Sequence, residues 1–167
     1  MGNLLPRLTQ VRFTDSDTQA LVAEVQAEYA LLYGAPDEAP IDDAEFDPPS
    51  GAFFLCYAGD GDGGDGVAVA MRGWRMRSDV HPWGCSTAAE VKRMYVAPAA
   101  RRRGYGRAVL VHLEETARAA GADVMVLETG TAQPEAIAMY TAAGYLPVEK
   151  FGYYAWSAKS RCFGKPL

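Results

Sequence analysis

The segment at residues 96–107 constrains the fold of this chain more than any other feature. It reads Val-Ala-Pro-Ala-Ala-Arg-Arg-Arg-Gly-Tyr-Gly-Arg and lies between a predicted strand at 90–96 and a helical pattern at 104–120. Pro98 ends the predicted strand, and apolar residues then recur at helical spacing. A strand that turns tightly into a helix leaves unpaired backbone N–H groups at the positive end of the helix dipole. The segment therefore predicts an α/β fold with an anion site suited to a pyrophosphate.

The rest of the chain predicts one domain over residues 1–167, because this length suits a single core. The elements follow the order β-α-β-β-β-α-β-α-β. Gly34 and Pro36 end the first helix, and residues 36–50 form an acidic loop with one helical turn, where substrate contacts are expected. The predicted strands are 8–13, 52–58, 67–74, 90–96, 124–128 and 161–164. The first predicted helix begins after Asp15 or Ser16, and two further helices cover 104–120 and 134–143. A turn at 59–66 joins two of the strands into a hairpin.

Composition excludes several classes of protein. The net charge of −5 argues against a nucleic-acid partner, and no apolar run is long enough to span a membrane. The three cysteines, Cys56, Cys85 and Cys162, are widely spaced, which indicates neither a disulfide framework nor a metal site. The first residues lack the pattern of a signal peptide, so a cytoplasmic location is expected.

Charge is segregated along the chain. Acidic residues concentrate at 37–47 and arginines at 101–107. This division suits an anionic cofactor and a cationic substrate, although a solvated loop also explains the acidic stretch.

Two motifs resemble those of the GNAT superfamily of acetyltransferases. The first is Met94-Tyr95-Val96-x-Pro98 followed by Arg101-x-x-Gly104-x-Gly106, which is similar to the acetyl-CoA-binding motif. The second covers residues 136–140 and 143–145. The resemblance implies a single α/β (α+β) domain with a central mixed, mostly antiparallel sheet flanked by helices on both faces. It also implies acetyl-CoA as co-substrate and no metal.

The resemblance implies roles for individual residues. The strand before the turn splays from its neighbour and pairs with the pantetheine arm, and an amide near Met94 polarises the thioester carbonyl. Position 133 departs from the family, which commonly has asparagine there; Gln133 keeps the amide on a side chain one methylene longer. The implied cofactor-binding residues are Met94, Tyr95, Val96, Arg101, Arg102, Arg103, Gly104, Tyr105, Gly106, Arg107 and Gln133.

Tyr140 lies where family members place a tyrosine that protonates the departing thiolate. A neutral phenol with a pKa of about 10 can donate that proton. The alternative is a tyrosine that only packs.

A protonated amine must lose a proton before it can attack, so a base is needed. Glu90 is the first candidate, because the family often has a carboxylate there that relays protons through water. An ion pair with Lys92 or Arg93 is the equal alternative, and Glu128 is the second candidate.

The predicted function is transfer of an acetyl group to a small amine by direct attack in a ternary complex. The alternatives are a non-catalytic acyl-CoA-binding module and a protein or peptide N-acetyltransferase. The aromatic tail at 151–156 suits either the acceptor pocket or the edge of a homodimer. His81 could contact substrate, whereas His112 is expected to lie at the surface or to pack.

Overall fold

A seven-stranded open sheet forms the centre of the domain in the computed structural model, which describes residues 7–58 and 66–167. The strand order is β1-β2-β3-β4-β5-β7-β6, and β4–β5 is its parallel pair. Helix α2 makes the crossover that this parallel pair requires. The strands are β1 Arg7–Val11, β2 Gly51–Ala58, β3 Val67–Arg77, β4 Ala88–Val96, β5 Val124–Gly130, β6 Leu146–Pro147 and β7 Ser160–Pro166; the helices are α1 Ser16–Tyr33, α2 Tyr105–Ala119 and α3 Pro134–Ala142.

The helices cover both faces of the sheet, as the family resemblance implied. Phe53 and Leu55 of β2 pack in one cluster with α1. Phe54, between them, belongs to the cluster that includes residues of α2 and α3. This alternation follows from the period of two along a strand. The sheet is therefore buried on both sides, with α1 on one face and α2 and α3 on the other.

Strands β4 and β5 separate part of the way along their length. They pair only from Ala88 with Val124 to Glu90 with Val126, although β5 continues to Gly130. On its other side, β4 bulges against β3, and Arg93 adopts a left-handed φ of 54°. The opening beyond Glu90 confirms the predicted splay, and it leaves the last residues of β4 without a strand partner toward β5.

Most predicted elements occur, with shifts at their ends. The 3₁₀ turn Asp43–Phe46 supplies the helical turn expected in the acidic loop. Strand β6 was not predicted, because two residues that include a proline carry no periodic signal. The turn predicted at 59–66 lies outside the described residues except for Gly66, and so do the residues on which the signal-peptide argument rests.

Candidate active site

A cleft of about 630 Å³ lies where α1, the end of β4, the following turn and the start of α3 meet. The splay of β4 from β5 opens this region of the sheet. The sequence motif lies along the cleft. Among the predicted cofactor-binding residues, those that line it are Met94, Tyr95, Val96, Arg101, Arg102, Gly104, Tyr105, Gly106, Arg107 and Gln133. Arg103 is exposed and does not line it.

Within the described ranges, the turn before α2 leaves its backbone amides unpaired beside this cleft. Arg102 and Gly104 have left-handed φ values of 64° and 79°. The first intrahelical bond runs from the Ala108 amide to the Gly104 carbonyl. Within the described part of the chain, the amides of residues 102–107 have no hydrogen-bond acceptor. Successive free amides at a helix N-terminus form an anion-binding concavity.

The arginines around the turn have different partners. Arg101 donates to the Val96 carbonyl and pairs with Glu28 at 2.7 Å, which ties the turn to α1. Arg102 lies 3.9 Å from Glu135, and both side chains are almost fully exposed. Arg102 can therefore turn toward an anion in the cleft, whereas Arg101 holds the shape of the turn.

Gly106 lies at a close approach of α2 and α3. A Cβ at this position would be 3.1 Å from the Met139 sulfur and 3.8 Å from a guanidinium nitrogen of Arg72. Arg72 also donates to the Gly106 carbonyl at 2.7 Å. The glycine thus allows the first turn of α2 to lie against α3 and over β3.

A smaller cavity of about 90 Å³ continues the cleft between β4 and β5. The two spaces share the lining residues Tyr29, Met94, Gln133 and Ala136. Tyr140 of α3 lines the smaller cavity, and its hydroxyl donates to the Met94 sulfur at 2.6 Å. Burial raises the pKa of Tyr140 above its usual value, and the charge of Arg72 opposes that rise. Tyr140 is therefore a neutral hydrogen-bond donor that lines the smaller cavity next to Met94, which lines both spaces.

Glu128 of β5 lines the same small cavity. Burial raises the pKa of its carboxyl to about 7, with Glu90 and Asp37 adding to the rise and Lys92 opposing it. A carboxylate that titrates near neutral pH can accept a proton efficiently from a substrate.

Glu90 occupies a different environment from the one expected for a base. It is 2% exposed. Its two carboxylate oxygens pair with Arg75 and Arg77, and Lys92 lies 3.5 Å away. Glu90 does not line the small cavity. Glu90 therefore forms the ion pair with Lys92 that was the alternative to a catalytic role, whereas Arg93, the other suggested partner, pairs with Asp37.

The acidic loop and the aromatic tail meet beside the small cavity. Asp37, which lines it, pairs with Arg93 at 3.0 Å and accepts a hydrogen bond from Tyr154 at 3.0 Å. The Tyr154 hydroxyl accepts from the Glu38 amide. These contacts place Tyr154 of the tail next to Asp37, beside the small cavity.

Gln133 lies at the start of α3 and lines both spaces. Its side-chain nitrogen donates to the Tyr33 hydroxyl at 3.0 Å. Tyr33 ends α1, and its hydroxyl lies so close to Gly130 that a Cβ there would clash with it. Tyr33 thus orients the amide that the family places on a shorter side chain, a role that sequence reasoning missed.

The histidines lie outside both spaces. The His112 ring packs edge-on against Phe54 with centroids 4.7 Å apart, which agrees with the packing expected for it. The His81 Nδ1 atom lies 3.1 Å from the Cys85 carbonyl of its own turn.

Among the described residues, no three His, Cys, Asp or Glu side chains form a metal-binding group. No helix in the described ranges has the length and apolar character needed to cross a membrane.

Comparison with known proteins identifies the family. A model of the acetyltransferase (GNAT) family matches residues 18–145. An IAA acetyltransferase of Azospirillum brasilense is 44% identical over 78 residues, which are 47% of this chain and 51% of that protein. The match thus spans about half the length of this curated relative.

Solved structures share the fold over almost the whole chain. A protein from Klebsiella pneumoniae, named as a candidate acyl-CoA N-acyltransferase, superposes with a TM-score of 0.78 at 25% identity and 99% coverage of both chains. A Bacillus subtilis acetyltransferase in complex with CoA gives a TM-score of 0.61 at 13% identity, with 97% of this chain and 99% of that chain covered. The family match, the two motifs and the splayed sheet agree: the chain belongs to the GNAT acetyltransferase family.

Proposed function

We propose that the protein transfers the acetyl group of acetyl-CoA to the amine of a small molecule by direct attack in a ternary complex. The observation that carries the proposal is the position of Tyr140 and Glu128, which line one small cavity at the end of the motif-lined cleft. A proton donor and a proton acceptor thus line the same small space.

The residues of the cleft fit an acyl-CoA. The amides of residues 102–107 would hold the pyrophosphate, and Arg102 and Arg107 line the cleft beside them. Gly104 has open space where a Cβ would stand, so the backbone can approach a phosphate. The unpaired edge of β4 around Met94 would bond the pantetheine arm. Bound acetyl-CoA supplies an acetyl group activated as a thioester.

Glu128 is proposed as the base, in place of Glu90. An alkylamine with a pKa of about 10 enters as an ammonium ion, which a carboxylate attracts. Glu128 would accept the ammonium proton directly or through water, and its pKa of about 7 suits that transfer at neutral pH. Glu90 lacks this freedom, because both of its oxygens are held by arginines.

Tyr140 is proposed as the acid. Its hydroxyl already donates to a sulfur, that of Met94, and the CoA sulfur would replace this acceptor. A backbone N–H of the free β4 edge near Met94 would stabilise the negative charge on the carbonyl oxygen, a contribution of a few kcal/mol in such sites.

The small cavity favours a compact acceptor. Its volume is about 90 Å³, and the Asp37–Tyr154 contact closes the space between the acidic loop and the tail. A peptide would need an open groove at this position. We therefore propose a small molecule with a primary or secondary amine.

The test is a thiol-release assay with acetyl-CoA and a panel of small amines, amino acids, polyamines and peptides. Tyr140→Phe and Glu128→Gln should each lower turnover at least about tenfold. Tyr145→Phe is the matched control, because this neighbouring buried tyrosine bonds Glu114 and does not line the small cavity.

Each alternative has its own result. Binding of acetyl-CoA without acetylation of any acceptor would indicate a binding module. Preference for peptides would indicate a protein acetyltransferase. A Tyr145→Phe defect as large as that of Tyr140→Phe would contradict the proposed acid.

A further inference from the structure

Arg72 is a buried cation without an anionic partner in the described part of the chain. It lies in the middle of β3 and is 1% exposed. The other arginines of this strand, Arg75 and Arg77, both pair with carboxylates. A buried charge without a counter-ion is costly to folding, so such a group is uncommon unless its charge has a use.

The guanidinium lies between the cleft turn and α3. One terminal nitrogen donates to the Gly106 carbonyl at 2.7 Å. The other lies 3.8 Å from the Cβ position of Gly106, a point that is itself 3.1 Å from the sulfur of Met139. Met139 directly precedes Tyr140 in α3, and the Nε atom of Arg72 has no hydrogen-bond partner. The charge is thus held beneath the start of α2, beside the segment that carries Tyr140.

Arg72 keeps its charge at neutral pH. Burial lowers the pKa of its guanidinium only to about 10. The titratable groups that act on this charge are two phenols, Tyr140 and Tyr145; burial raises the pKa of both, so they are uncharged at neutral pH. Tyr145 donates to Glu114, whose other partner is Lys165, so that carboxylate is already neutralised. Tyr140 is therefore the group near Arg72 that would become anionic during the proposed reaction.

We propose that Arg72 is a positioning residue that supplies the counter-charge for Tyr140 when this tyrosine protonates the leaving thiolate. The inference rests on the proposed function. In that step the proton leaves the Tyr140 oxygen, an S–H bond forms on CoA, and the negative charge moves from sulfur to the phenolate. The fixed positive charge lowers the energy of that phenolate, since a low-dielectric site strengthens the attraction. The Tyr140 phenolate then takes up the proton that the amine releases, which restores the neutral phenol.

The test compares two acyl donors, acetyl-CoA and its selenium analogue, in single-turnover reactions. A selenolate is a far weaker base than a thiolate and leaves without a proton, so the analogue removes the need for an acid. Arg72→Gln keeps a donor for the Gly106 carbonyl and loses the charge, whereas Arg72→Lys keeps the charge. Tyr140→Phe and the double variant Arg72→Gln/Tyr140→Phe complete the set.

Arg72→Gln should lower the rate with acetyl-CoA at least about tenfold and the rate with the selenoester less than about threefold. The double variant should be no slower than Tyr140→Phe, and CoA affinity should change less than about threefold. Arg72→Lys should retain the parent ratio of the two rates. If Arg72→Gln does not fold, a thioester-specific defect in Arg72→Lys would still overturn the inference.

Equal losses with both donors, a further fall in the double variant, or a thioester-specific defect in Arg72→Lys would each overturn the inference and leave Arg72 a packing residue. Failure of the parent protein to acetylate any acceptor is a separate result, because it would overturn the proposed function instead.

Discussion

At the scale of single residues, the raised pKa of Glu128 predicts how activity depends on pH. The proposed base must be ionised to accept a proton, and its pKa is about 7. The value of kcat/KM should therefore rise through neutral pH and level off above about pH 8. Glu128→Gln should remove this limb, which a pH–rate profile of both proteins would reveal. A limb that persists unchanged in the variant would exclude Glu128.

The same carboxyl predicts a pH effect on stability. Its folded pKa of about 7 lies above the ordinary 4.5, so folding favours the protonated form. The contribution of Glu128 to stability is complete below about pH 4.5 and is lost as the pH rises through 7. Glu128→Gln should therefore raise the melting temperature at pH 8 more than at pH 5. Thermal melts of both proteins at the two pH values would test this, and equal shifts would contradict it.

Alanine variants of two glycines can distinguish the effect of backbone strain from the effect of lost ligand contact. Gly104 and Gly84 have similar left-handed φ values of 79° and 75°, and both have open space at the Cβ position. Only Gly104 lines the cleft. Alanine at either position should cost about 1 kcal/mol of stability. Calorimetric titration with CoA should show weaker binding only for Gly104→Ala; equal affinities in both variants would place the pyrophosphate elsewhere.

At the scale of elements, helix α2 predicts which positive charges contribute to CoA binding. Arg102 and Arg107 stand at its start and line the cleft, whereas Arg118 stands in its last turn. Arg102→Ala and Arg107→Ala should each weaken CoA binding several-fold at low salt and less at high salt, because salt screens exposed charges. Arg118→Ala, the matched control, should leave the dissociation constant unchanged. A loss of the same size in all three variants would indicate a general effect of net charge.

Some elements could be predicted from the pattern of apolar residues, and others could not. The run of aromatic and aliphatic residues in β2 and the helical spacing of apolar residues in α2 predicted the strand and the helix, because β2 is buried on both faces and α2 on one. The departure of β4 from β5 after Glu90 has no such signal; in this chain the prediction came from the family resemblance. Strand β6 is defined by its pairing with β7, which lies far along the chain from any local signal at Leu146.

At the scale of the whole molecule, ligand binding should stabilise the fold. The cleft is built from α1, β4, α2 and α3, which come from distant parts of the chain. A ligand at 100 times its Kd stabilises the folded state by about 2.7 kcal/mol, or roughly 5–10 °C for a domain of this size. Thermal melts with and without acetyl-CoA would measure the shift, and Gly104→Ala should reduce it.

Homodimer formation through the aromatic tail stays a prediction.

The sequence by itself determined the order of most elements, the turn at residues 101–107 and the position of Tyr140. These are local properties, because a strand, a glycine turn and a helix face each depend on residues that are close together in the chain. The sequence also contains a signal for the buried cation, because Arg72 interrupts the apolar run of β3.

The tertiary structure decided which of two carboxylates is held in ion pairs. Glu90 and Glu128 stand near strand ends in the sequence and look alike there. In the fold, Arg75 and Arg77 reach Glu90 from the neighbouring strand, while Glu128 lines the opening between β4 and β5. The environment of a carboxylate depends on side chains brought from other strands, and that information appears only once the sheet is assembled.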